Sequence, residues 1–270
     1  MSSRRPTALE IIRDDSQFGL TNAVRSVSAR DASEQSGEAY TIAALCHRRL
    51  AMCALFLEAD ARAFFVHLCH SAHARLALLE QVHAGRHAVA PELRCASKEL
   101  AFVDALAAGQ RGLATRIAEL AAPQADLTLE YEDDFLLHRF MHLFVLEGAP
   151  RQHPKLEALL ARWEVVIEGK ADPYLDVMRA LLAGDAVALA DAFDALVTKR
   201  ARTYDELARD GGPSDELRAT EGALFMNGLA ILRLAELAGL PRLGDYPTLP
   251  ALARVAKDQL APPAADWVRG

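Results

Sequence analysis

Histidine and carboxylate are the residues in this chain whose types and spacing come closest to chemistry. His67, His70 and His73 follow one another at i, i+3 and i+6, with His83 and His87 further on. Neutral imidazoles gathered on one side of a helix bind transition metals. Here the three-residue steps carry the rings around the helix, and no carboxylate completes the set nearby. The spacing therefore predicts histidines at a solvated or core-edge face. His138 and His142 lie four apart and share a face, with Asp134 one turn earlier. A helical zinc protease needs Glu directly after its first His, where this chain has Arg139. A ferritin-like di-iron centre needs Glu-x-x-His pairs from two helices, and the sequence has none. The expectation is structural histidines, no metal and no cofactor. A metal-dependent hydrolase using Asp134, His138 and His142 is the enzymatic alternative, and a general helical adaptor protein is the non-enzymatic one.

Other catalytic signatures do not appear. The turn Asp210-Gly211-Gly212-Pro213 precedes a helical run like a phosphate-binding loop, but it has no Lys, and Asp210, Asp215 and Glu216 repel an anion. A plain turn and helix cap is the reading. There is no nucleophile elbow, P-loop or dinucleotide glycine fingerprint, so an enzyme is not expected.

The asymmetric feature is acidic. Between Arg116 and Arg139 there is no Lys or Arg, yet Glu119, Asp126, Glu130, Glu132, Asp133 and Asp134 all fall there. Four of these crowd the start of a helix, where the macrodipole favours carboxylates. The functional reading is a negative patch docking a basic surface, with Tyr131 as an aromatic anchor. A second cluster, Asp205, Glu206, Asp210, Asp215 and Glu216, surrounds Tyr204 and is diluted by Arg202 and Arg209.

The elements that must position these residues are helices. The apolar share is 51% and is dominated by Ala and Leu, which lose least on entering a helix. Gly and Pro punctuate helix-length blocks at residues 34–57, 60–83, 93–107, 113–120, 131–146, 155–167, 174–182, 186–202 and 217–237, followed by a Pro-rich tail. Ser214 or Asp215 is expected to cap the last block, a long helix. The runs Ala105–Gly109 and Ala180–Gly184 echo one another and predict hairpins that reuse one turn. No strand-like alternation is present. The fold class expected is all-α, an irregular multi-helix bundle of antiparallel hairpins. It forms a single domain over 1–270 with possible subdivision near 122–127.

Lys plus Arg is 30 and Asp plus Glu is 37, a net charge of −7 that argues against nucleic acid as partner. The N-terminus lacks the apolar stretch of a signal peptide. His47, Arg48, Arg49, Glu58, Asp60 and Arg62 interrupt the most apolar segment, so no membrane span is expected. Cys46, Cys53, Cys69 and Cys95 have no CxxC spacing and read as buried thiols of a reducing compartment, which places the chain in the cytoplasm.

The run Glu130-Tyr131-Glu132-Asp133-Asp134-Phe135 opening an apolar helix resembles the immunity protein 49 family of bacterial polymorphic toxin systems. So does Thr220-Glu221-Gly222-Ala223-Leu224-Phe225 leading through Gly228-Leu229-Ala230 to Ala238-Gly239-Leu240. The resemblance covers about residues 34–252. It implies a mostly helical immunity protein that sequesters a cognate toxin domain, often a nuclease, encoded by an adjacent gene. Glu132, Asp133 and Asp134 match the family pattern and are the residues it would carry to the partner.

Overall fold

The computed structural model describes residues 5–254 and 267–268. It opens with α1, Ala8–Ala29, which lies before the first helical block expected from the sequence, 34–57. The local signal is a capping box. The Thr7 hydroxyl accepts from the Glu10 amide, and the Glu10 carboxylate accepts from the Thr7 amide at 2.7 Å. A one-turn α2, Ala32–Gln35, is capped by Asp31, and α3 follows at Glu38–Glu58. The single block expected at 34–57 is divided by Gly37, whose φ is 84°. A Cβ there would come within 2.8 Å of the Leu78 side chain and 2.7 Å of Val89, so both the dihedral and the close approach require glycine. Helix α4, Ala61–His83, starts at Asp60, whose carboxylate accepts from the Ala63 amide at 2.9 Å. α3 packs between α1 and α4. By length and apolar composition α3 could cross a membrane, but most of its span is buried inside the fold.

Two 3-10 turns, Pro91–Arg94 and Ala96–Lys98, lead to α5, Leu100–Ala107. Then come α6 at Arg111–Leu120, α7 at Glu132–Leu146, α8 at Pro154–Val166, α9 at Pro173–Ala183 and α10 at Ala186–Arg209. Gly109 and Gly184 both take left-handed φ, 69° and 66°. In each, the next amide reaches back six residues inclusive, Gln110 to Ala105 at 2.8 Å and Asp185 to Ala180 at 3.1 Å. That is one Schellman turn used twice, the echo read in the sequence.

The long helix expected over 217–237 is broken. α11 covers only Asp215–Leu217, a π-type turn occupies Arg218–Gly222, and α12 runs Met226–Leu237. Tertiary contacts win over helical pattern here. The Arg200 guanidinium binds the carbonyls of Glu221 and Gly222, the Glu221 carboxylate turns inward to Arg48, and the Phe225 amide donates to Thr248 O at 2.9 Å. A straight helix would forfeit all three.

Among the described residues there is no β-strand, only an isolated bridge between Tyr246 and Leu249. The main core runs from Ala51 to Ala253 and takes in residues from helices on both sides of 122–127. Trp163, Phe64, Phe102, Phe140, Phe144 and Phe193 are its large, fully buried members. Burying each phenylalanine contributes about 1.5–3 kcal/mol relative to leaving it exposed. A smaller cluster joins α1, α3 and α4 around Tyr40, Leu78 and Trp267. Pro262 and Pro263 of the expected tail lie outside the described residues.

Candidate functional site

The first turn of α7 forms one wall of an open groove of about 540 Å³. Tyr131 stands at the N-cap position, 79% exposed, and Glu132, Asp133 and Asp134 follow it. α8 and α9 supply the facing wall, with Trp163, Lys170 and Asp172, and Lys199 reaches in from α10. Asp172 is fixed by the Trp163 indole N–H at 3.0 Å and the Tyr174 amide at 3.0 Å. Asp134 reaches the surface, yet its carboxyl is held above the usual range. Partial desolvation is the main cause, and the negative charges of Asp133, Asp172 and Glu130 add to it.

The fold revises the acidic patch in two ways. First, the lack of Lys and Arg along the chain does not carry over into space. Arg162 grips Glu132 through two hydrogen bonds of 2.6 and 2.7 Å, and Lys170 and Lys199 line the groove. Second, Glu130 is buried and structural. Its carboxylate accepts from the Ser97 amide at 2.9 Å and the Asp126 amide at 3.3 Å, closing the loop before α7. Asp133, Asp134 and Tyr131 remain at the surface. The second predicted cluster is also partly internal. Tyr204 is half-buried under the Arg200 guanidinium, which stacks on it at 4.6 Å and on Phe225 at 4.8 Å. Asp205 and Glu206 are exposed on α10.

His138 and His142 lie inside the core, with His142 edge-on to Phe102 at 4.3 Å between ring centres. Burial holds His138 down to about 4 and His142 well below the usual range, so both are neutral. They do not form a group with Asp134. Among the described residues, one set of three potential metal ligands converges: His47, His67 and His70. Their spacing in the sequence groups His67 and His70 with His73 on one helix. The fold instead brings them against His47 of α3 and leaves His73 out. No local motif announces that pairing.

A cleft of about 390 Å³ between α3, α4 and α5 was likewise invisible in the sequence. Its polar floor is two buried ion-pair networks. Arg48 binds Asp104 and, at 2.9 Å, Glu221, while Ser71 donates to Asp104 at 2.7 Å; Arg75 binds Glu99 at 2.9 Å. Burial raises Asp104 to about 6, against the pull of Arg48. Both guanidinium groups of the lining are matched by carboxylates, and Glu92 and Lys98 also line the cleft.

No family model, no curated protein and no solved structure matches the chain.

Proposed function

We propose that this chain is a binding protein of the immunity type, which sequesters a cognate toxin domain encoded by an adjacent gene through the groove at the start of α7. The observation that carries the reading is the pairing of Tyr131, 79% exposed, with Asp133 and Asp134 at that rim. An exposed aromatic beside carboxylates that repel one another suits a basic partner, whose cations relieve the repulsion on binding. The resemblance of residues 130–135 and 220–240 to immunity protein 49 supports the same assignment. A nuclease is the favoured toxin class, because its nucleic-acid groove is basic and carboxylates mimic phosphates there. Nucleic acid and membrane are not partners in this reading. The four free, buried cysteines fit a reducing cytoplasm. The hydrolase alternative loses ground because Asp134 faces solvent while His138 and His142 are in the core.

The test is co-expression with the product of the neighbouring gene, followed by purification and a growth assay. Rescue of growth together with a one-to-one complex is expected. Rescue without a complex, or a complex that leaves the toxin active, would overturn the assignment.

A further inference from the structure

We propose that His47, His67 and His70 form a binding site for one divalent transition metal ion, with zinc as the best-fitting ion. His47 comes from α3, and His67 and His70 are a turn apart on α4, so the site sits across a packed helix pair. One nitrogen from each ring lies within 4.8 Å of the other two, and Nδ1 of His47 is 3.0 Å from Nδ1 of His67. A tetrahedral zinc ion with bonds of about 2.0–2.1 Å holds its nitrogen ligands about 3.4 Å apart. The close pair must open by a few tenths of an ångström and the widest gap must close by at most about 1.5 Å, which ring rotation supplies.

The surroundings fit a built site. His47 is 1% exposed and is held edge-on to His70, with 5.1 Å between ring centres. Its other nitrogen, Nε2, is buried without a well-formed hydrogen bond, and the Trp267 backbone lies close enough to favour the protonated nitrogen. A metal-bound histidine ordinarily aims its second N–H at such an outer acceptor. His67 and His70 are half-buried and leave a route from solvent. Three nitrogens and no carboxylate select against magnesium and calcium, which demand oxygen ligands. The fourth coordination position is left for water. This inference stands on geometry that the toxin-binding proposal does not use.

The experiment uses the untagged full chain, stripped with a chelator and dialysed, then titrated with Zn²⁺ by calorimetry and with Co²⁺ by visible absorption. One ion per chain is expected, with the intense bands of tetrahedral Co²⁺ bleached by Zn²⁺, and with Zn²⁺ raising the unfolding temperature. His67→Gln with His70→Gln should weaken Zn²⁺ by more than about a hundredfold, since even outer-shell losses reach that range. The exposed His83→Gln should leave it unchanged. Should the double variant not fold, His70→Gln alone is expected to show the same loss and to abolish the tetrahedral Co²⁺ bands. Absence of saturable binding, an octahedral Co²⁺ spectrum, or unchanged affinity in a folded variant would overturn the site. All three outcomes are independent of whether any toxin is bound.

Discussion

A buried ionisable side chain ties stability to pH through the proton it takes up or refuses on folding. His138 is the clean case, because burial alone holds it near 4 against an ordinary 6.5. Between pH 6.5 and about 4 the unfolded chain binds a proton that the folded one refuses, so stability falls on acidification. The expected loss from this residue is up to about 3 kcal/mol, complete only once pH passes below about 4. Urea unfolding at pH 7 and pH 5 checks it, and His138→Leu should make the acid slope shallower. Slope remains from His142, His47 and His67, which are lowered in the same direction. Asp104 tests a different principle. Removing one partner of a buried ion pair strands the other, which typically costs about 3–5 kcal/mol. Asp104→Asn is expected near the lower figure, because Arg48 keeps Glu221. A loss under about 1 kcal/mol in a urea titration would contradict the structural role given to this network.

Helix ends are where short motifs decided the fold. The Thr7–Glu10 capping box starts α1 without help from a strongly apolar face, so Thr7→Ala should cost about 1 kcal/mol and speed amide exchange in the first turns of α1. The Schellman turn at Gly184 makes a second test. With φ at 66°, and with an added Cβ meeting Arg151 side-chain atoms at 3.2–3.3 Å, Gly184→Ala should cost about 1 kcal/mol or more in thermal unfolding. The break before α12 follows the opposite logic. Residues 217–237 carry a helical pattern, yet carbonyl capture by Arg200 and the inward turn of Glu221 favour the π-type turn.

At the scale of the molecule, charge is redistributed by packing, and the binding test must respect that. Glu132 is tied to Arg162 and Glu130 is internal, so Asp133→Lys with Asp134→Lys is the variant that reverses the groove without breaking the fold's own contacts. If the groove docks a basic toxin, association should slow by about tenfold or more at low salt, with the gap shrinking as salt rises. Reversing charges in a first helical turn costs up to about 1 kcal/mol per site, so unfolding is measured on the same protein. Unchanged association in a folded variant would move the docking face elsewhere.

Helical class, most helix positions and the reused glycine turn were legible in residues 30–240, because periodicity, caps and breakers act within a few positions of one another. The clustering of carboxylates at 132–134 was legible for the same reason. What only the tertiary structure decided are the meetings between distant helices. These include Arg162 on Glu132, Arg48 between Asp104 and Glu221, and the burial of Glu130 and His142. The most consequential is His47 of α3 against His67 and His70 of α4, which turned a loose run of histidines on one helix into a converging set. Each such contact depends on the rotation and crossing of two packed helices. Those are set by the whole core's side-chain interlocking, and no short window of sequence contains them.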